Sequence, residues 1–173
     1  ATTVLNEFLR TKVIPEIDAY RFSQMVSKAY SSLTSQTISA NTIISAFNTA
    51  LQTLADLDVP TNRMAFFVSN AVMTLIRNTT ELSKTITQME YVNPFGVTFD
   101  LMAYNGIPII PVPKERFYSS YTFGTTGFGP ASGAYLINFI LADITSVWAV
   151  KKHASSKFVS PVDNQDGDGA ILA

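Results

Sequence analysis

Tyr104-Asn105-Gly106-Ile107-Pro108-Ile109-Ile110-Pro111-Val112-Pro113 is the stretch on which the fold turns. Asn-Gly between two apolar runs is a strong hairpin signal, because both central residues of a tight two-residue turn need positive φ. The run before it, Val97 to Ala103, and the run after it, Ile107 to Val112, read as the two strands. Pro108 removes a hydrogen-bond donor from one side of the second strand, and Pro111 and Pro113 remove donors from the other. Such a strand cannot be a fully paired central strand along its length.

Towards the C-terminus, Leu136 to Leu141 reads as a further apolar strand, followed by a short segment at Val147 to Val150. Lys157 to Ser160 reads as a short strand, and Asp163 to Gly169 as a flexible acidic run. Towards the N-terminus, Arg63 to Val68 suits a buried strand, and Ser69 then caps a helix built on Val72, Met73, Leu75 and Ile76. Thr79 to Pro94 is polar and carries no clear period. Ile43, Ile44, Phe47, Leu51 and Leu54 form an i, i+3, i+4 stripe on a helix capped by Ser39 or Asn41 and running to about Leu57. The other face of that helix is Ser45, Asn48, Thr49, Gln52, Thr53 and Asp56, without the Glu–Lys pairs of an ordinary solvated face.

Thr3 to Tyr30 is helical with two apolar faces. Leu5, Phe8, Leu9, Val13, Ile17 and Tyr20 share one; Phe22, Met25, Val26 and Ala29 share another, roughly 150° away. Pro15 lies between them, followed by Glu16 and Asp18, as at the first position of a new helix. A kinked or broken helix touching two different partners is expected. Helices and short strands without regular βαβ alternation give the class α+β.

The chain has 173 residues, 12 Lys+Arg against 13 Asp+Glu, a net charge of -1, and 47 % hydrophobic residues, enough for a real core. Charged residues are only 14 %, against roughly 25 % in average soluble domains, and Ser and Thr fill the gap. A strongly basic nucleic-acid binder is excluded at the level of net charge. The absence of Cys excludes disulfides, thiolate metal sites and cysteine nucleophiles, and fits synthesis in a reducing cytoplasm. The longest uncharged apolar run, Tyr135 to Ala142, is far short of the roughly 20 residues of a membrane helix.

Catalytic chemistry finds little support. The single His, His153, sits beside Lys151 and Lys152 in what reads as a solvated basic turn rather than around a general base. One His cannot assemble a metal site, and neither G-x-S-x-G nor H-E-x-x-H occurs. No catalytic, metal or cofactor-binding residue is assigned, and no cofactor is expected. Gly124, Gly127, Gly129 and Gly133 form a Gly-rich stretch whose order fits neither a dinucleotide fingerprint nor a phosphate loop, so a mobile surface loop is expected. Its neighbours Tyr118, Tyr121, Phe123 and Phe128 suit either a contact surface or burial within the fold. Asn164 to Gly169 copies the first half of a calcium loop, but no Glu closes it within the sequence, and a turn fits better.

Four segments, in order, resemble a known family. Val13-Ile14-Pro15-Glu16-Ile17-Asp18-Ala19-Tyr20-Arg21 is similar to the start of the spine-helix region of tailed-phage major capsid proteins. Phe66-Phe67-Val68-Ser69-Asn70 resembles their strand-to-helix step in the axial domain. Tyr104 to Pro113 resembles their Gly-hydrophobic-Pro strand, with Lys114 to Phe117 as the basic-aromatic turn after it. Phe158-Val159-Ser160-Pro161 through Gln165 to Gly169 resembles the return into the peripheral domain.

The resemblance implies the Hong Kong 97-type coat fold: a spine-helix segment over 1–36, an axial-type domain with a short mixed sheet flanked by helices over 37–150, and a return segment over 151–173. It implies a structural protein, not an enzyme, self-assembling into an icosahedral shell around DNA that it contacts non-specifically. It would be made in the bacterial host cytoplasm and located in the virion. The N-terminal arm, extended loop and closing strands of that family are missing, so a core fragment that is monomeric or weakly associating is expected. Partners are other copies of the chain, and no membrane. Tyr118, Tyr121, Phe123 and Phe128, with Asn48 and Gln52 on the uncharged helix face, are the candidate subunit contacts. Two alternatives stay open: the shell of a cellular nanocompartment, or a small-ligand binding module using the Gly-aromatic stretch.

Overall fold

The structure is a computed structural model that describes residues 2–29, 37–79, 86–92, 98–125, 127–147, 157–159 and 170–172. Helix α1 (Thr2–Phe8) runs through a π-helical segment, Leu9–Val13, into α2 (Ile14–Ser27). Then follow α3 (Ile43–Ala55), β1 (Met64–Ser69), α4 (Asn70–Asn78), β2 (Ile86–Val92), β3 (Thr98–Tyr104) and β4 (Ile107–Val112). A single helical turn, Lys114–Arg116, leads to the ribbon β5 (Tyr121–Gly124) and β6 (Gly127–Pro130), and then to β7 (Phe139–Asp143). The pair β8 (Lys157–Val159) and β9 (Ala170–Leu172) completes the described elements. The class is α+β, with a mixed five-stranded sheet of order β2-β3-β4-β1-β7.

The hairpin forms as the sequence predicts. Asn105 (φ 52°) and Gly106 (φ 79°) both occupy the left-handed region, and Tyr104 faces Ile107 across the two-residue turn. β4 is central, antiparallel to β3 and parallel to β1, yet neither flank is paired throughout. Pairing with β3 covers Ile107 to Ile109, and pairing with β1 covers Ile109 to Val112. The closing hairpin pair points the amides of Ile107 and Ile109 at β3, so Pro111, in the same phase, stands where pairing with β3 has ceased. Pro108, in the opposite phase, stands just before pairing with β1 begins. The prolines thus set where each ladder stops.

Because strand side chains alternate, the sheet divides its apolar residues between two faces. Phe66, Val68, Tyr104, Ile107 and Ile109 meet Ile43 and Phe47 of α3 and Val72, Met73 and Ile76 of α4 in one core. Phe47 is fully buried, with its ring centroid 4.4 Å from Phe66, 4.9 Å from Phe139 and 5.5 Å from Tyr104. On the other face, Val112, Phe117 and Ile137 form a smaller core with Phe67, Ile140, and Phe22 and Val26 of α2. Phe22 stands 5.2 Å from Phe117 and 5.4 Å from Phe67, and an ion pair of 3.0 Å joins Asp18 to Arg116. Helix α2 and the sheet therefore share this second core.

Ser69 caps α4 as expected, its hydroxyl oxygen accepting from the Val72 amide at 3.3 Å. Such a cap contributes about 1 kcal/mol. At the edge of the sheet, Arg63 reaches Asp143 at 2.5 Å and also Thr145. Partial burial works against charge on Asp143, but hydrogen bonds from the Thr145 hydroxyl and amide and from Arg63 outweigh it, and the carboxyl sits below its usual value.

Several local expectations are corrected. Pro15 stands at the start of α2 as expected, but the interruption before it is a π-helical segment rather than a break: the Ile14 amide reaches back five residues to the Leu9 carbonyl, and helical dihedrals continue through Val13 into α2. Pro15 is then the second residue of α2, where it has no α-helical donor to lose. The helix start at α3 is Thr42, not Ser39 or Asn41. Thr42 folds back so that its Oγ1 accepts from the Ser39 amide at 2.9 Å. The polar stretch Thr79 to Pro94 contains β2, paired with β3 from Ile86↔Tyr104 to Val92↔Thr98. The last strand of the sheet begins at Phe139, three residues later than expected, because Leu136 instead bridges to Tyr118. The expected strand at Lys157 is present. The short segment to Val150 falls largely outside the described residues, and His153, the run Asp163 to Gly169 and the half calcium loop lie outside them.

Candidate interface surfaces

The Gly-rich stretch is a two-stranded ribbon rather than an irregular loop. No charged residue occurs from Phe117 to Ala142, so its stability rests on backbone pairing and rings. Registers Tyr121↔Pro130 and Phe123↔Phe128 place Tyr121, Phe123, Phe128 and Pro130 on one face, and Thr122, Gly124, Gly127 and Gly129 on the other. Gly127 (φ 124°) takes the positive-φ position that starts the returning strand. The rings of Phe123 and Phe128 lie 6.4 Å apart in near-parallel planes, with Tyr121 5.8 Å from Phe128 and 6.2 Å from both Phe123 and Tyr118. Aromatic pairs at such spacing contribute about 0.5–1.5 kcal/mol beyond burial.

Tyr121 also fastens the ribbon to its base. Its hydroxyl accepts from the Tyr118 amide at 2.8 Å and donates to the Glu115 carbonyl at 3.0 Å. The sequence-predicted aromatics Tyr118, Tyr121, Phe123 and Phe128 are therefore brought together. Phe123 remains 44 % exposed, and its ring meets that of Tyr20, itself 54 % exposed, at 6.0 Å. Along the ribbon lies an open depression of about 350 Å³ lined by Thr122, Phe123, Gly124, Gly127, Phe128 and Gly129, with no charged side chain in its lining.

Asn48 and Gln52 are placed elsewhere. Both are exposed on α3, which packs on the sheet face opposite α2 and Phe117. Asn48 has a role within the subunit, its Oδ1 accepting the Tyr104 hydroxyl at 2.8 Å. Gln52 lies one turn further along the same uncharged face. The six candidates thus form two patches on opposite sides of the sheet.

A larger surface emerges along the first helix. Val4 (70 % exposed), Phe8 (49 %), Leu9 and Ile14 leave apolar side chains in solvent, and Tyr20 continues them to the ribbon through Phe123. Of the apolar face predicted from the sequence, Phe8, Leu9 and Tyr20 are exposed here, while Leu5, Val13 and Ile17 are half-buried and Val4 and Ile14 lie off it. What the pattern could not give is that the sheet takes the other face, that of Phe22 and Val26. Among the described residues, no group of three or more His, Cys, Asp or Glu is placed to hold a metal ion, and no helix is long and apolar enough to cross a membrane. Comparison with protein-family models, with curated proteins and with solved structures finds no match.

Burial raises the pKa of both Tyr104 and Tyr121 above the ordinary value of 10.0. A raised folded value means that their contribution is complete below about pH 10 and is lost as pH climbs from there through the folded pKa. Alkaline titration is therefore expected to ionise the two together with unfolding. Tyrosinate absorbance and circular dichroism recorded on one sample check this. Full tyrosine ionisation with unchanged dichroism would contradict it.

Proposed function

We propose that the chain is a shell-forming structural protein, the major capsid protein of a tailed phage or prophage on the Hong Kong 97-type fold, whose activity is self-association around DNA. The observation that carries this reading is the set of exposed apolar side chains on the first helix, Val4, Phe8, Leu9, Ile14 and Tyr20, with Phe123 of the ribbon beside Tyr20. Exposed apolar side chains in such number favour association, and interface cores are enriched in aromatics and depleted in Lys, Glu and Asp. A chain with 14 % charged residues and net charge -1 also packs beside its own copies with little mutual repulsion.

The family resemblance supports the same reading, and three of its segments have matching local structure. Val13 to Arg21 is helical, Phe66 to Asn70 crosses from β1 into α4, and Tyr104 to Pro113 comprises the turn and β4, with the Lys114–Arg116 turn next. Partners would be further copies of the chain, with DNA enclosed and contacted non-specifically, in a virion assembled in the host cytoplasm. The test is assembly of the native full-length protein with Tyr118, Phe123 and Phe128 replaced by Ser. Loss of shells with retained circular dichroism is expected, and shells and hexamers unchanged from wild type would remove the ribbon from the interface.

A small-ligand module, the alternative reading, would place its ligand in the open depression along the ribbon. With no cation in its lining it is unsuited to a phosphate group. Thermal-shift measurements with nucleotides are expected to show no stabilisation, whereas a clear shift would favour the ligand-binding alternative.

A further inference from the structure

We propose that Asn105 is a self-modifying residue: the Gly106 amide attacks its side chain, ammonia is lost, and the central hairpin acquires an aspartate or isoaspartate. Of the asparagines in the chain, only Asn105 is followed by Gly, so no side chain hinders the attacking nitrogen. Both residues are exposed at the tip of the turn. The Tyr104–Ile107 pair closes the ladder before the turn, which leaves the Gly106 amide outside it. Among the described residues, neither that amide nor the Asn105 side chain makes a hydrogen bond. Nucleophile and electrophile are adjacent, uncovered and uncommitted.

The turn is also one peptide rotation from the attack geometry. Closing a five-membered ring through Asn105 Cγ needs an Asn105 ψ of about −120°, the value of a type II′ turn. Asn105 already has φ 52°, in the range that types I′ and II′ share, so only the 105–106 peptide plane has to turn over. Gly106 then moves from φ 79° to about −80°, a change that a residue without Cβ makes at little cost. No heavy atom lies within 4 Å of where a Gly106 Cβ would stand, so no neighbour obstructs the rotation. Types I′ and II′ both close two-residue hairpins, and the Tyr104–Ile107 pair survives.

The reaction consumes only water. Buffer base takes the Gly106 amide proton, the nitrogen bonds to Asn105 Cγ, and the Cγ–Nδ2 bond breaks. Nδ2 leaves as ammonia with a proton returned by the buffer. Water then opens the cyclic imide at either carbonyl. Opening at Cγ gives aspartate, which keeps the turn, since Asp-Gly suits the same geometry, and adds a negative charge. Opening at the main-chain carbonyl gives isoaspartate, whose backbone runs through Cβ and Cγ and is one carbon longer. That lengthens a turn whose flanks, Tyr104 and Ile107, are both buried, and the Tyr104 hydroxyl is bonded to Asn48 of α3. Modification at the exposed tip therefore reaches the core.

Incubation of the folded chain in mildly alkaline buffer, followed by peptide mass mapping and isoaspartate methylation, tests this. Asn105 is expected to convert at least about tenfold faster than Asn62, which is exposed but precedes Arg63. Because the rotation keeps the ladder, conversion in the folded chain is expected to stay within about tenfold of that in the urea-unfolded chain. The isoaspartate-bearing fraction is expected to unfold at a lower urea concentration than fresh protein. Asn105→Gly, which retains a turn-forming pair, is expected to release no ammonia here and to keep its midpoint when aged in parallel. Conversion no faster than at Asn62, or protection by folding beyond about tenfold, overturns the proposal. An equal fall in midpoint for aged Asn105→Gly would overturn the link between the turn and the core.

Discussion

Phe47→Ala is expected to cost about 3–5 kcal/mol of folding stability, the range for removing a buried Phe side chain. Phe47 is fully buried, and it is the residue through which α3 meets Phe66 of β1, Phe139 of β7 and Tyr104 of β3. Truncation loses the transfer free energy of the ring and leaves a cavity that three neighbouring rings cannot all collapse into. Domains are stable by only about 5–15 kcal/mol, so the loss is a large share of the whole. Phe47→Leu keeps an apolar plug but loses the ring contacts, and about 1–2 kcal/mol is expected for it. Urea unfolding followed by circular dichroism measures both. A loss below about 1 kcal/mol for the alanine variant would mean that α3 is not seated on this face of the sheet.

Phe117→Ala is expected to cost a similar amount, about 3–5 kcal/mol, with a different distribution. Phe117 is fully buried under Phe22 and is held by its carbonyl, which accepts from the Ile137 amide at 2.9 Å. It follows the Lys114–Arg116 turn whose Arg116 pairs with Asp18, so it fixes α2 to the sheet at one spot. Without the ring, the partly buried Arg116–Asp18 pair cannot hold the helix alone, since ion pairs still open to solvent contribute only about 0–1 kcal/mol. Hydrogen exchange should therefore quicken in Ile14–Ser27 well beyond its change in Met64–Ser69, as in release of one cooperative unit. A uniform change across both segments would contradict the assignment of Phe117 as the local clamp.

The central hairpin and the helix of the Ile43–Leu54 stripe were legible because each depends on local chemistry. Asn105-Gly106 admits positive φ at two successive positions, and each proline of β4 removes the donor from one flank of the strand. Ser69 before Val72 is a cap that sequence alone identifies. β2 was not legible: in Ile86–Val92 the apolar and polar residues do not alternate cleanly, and the strand exists through its seven-residue register with β3. The π-helical segment was invisible for a related reason, since a fixed step of about 100° per residue assumes the α-helix it interrupts.

Of the candidate contacts, the four aromatics were legible as a group because they are close in sequence and interleaved with glycine. Their ribbon geometry was not, since neither strand exceeds four residues. Asn48 read as an interface residue because its face lacks charge, yet it also serves the buried Tyr104 hydroxyl from 56 positions away. Tyr20 was legible as part of the first apolar face, but its contact with Phe123 is a pairing no sequence period encodes. The first apolar face of the helix was legible, but its exposure was not, because the sheet takes the face of Phe22 instead.

Self-assembly is the claim on which the functional account stands, and electron microscopy of the purified native full-length protein tests it most directly. Closed icosahedral shells enclosing DNA are predicted, built from copies that meet through the first helix and the aromatic ribbon. A folded protein that stays monomeric or forms only small oligomers at every concentration would contradict the account.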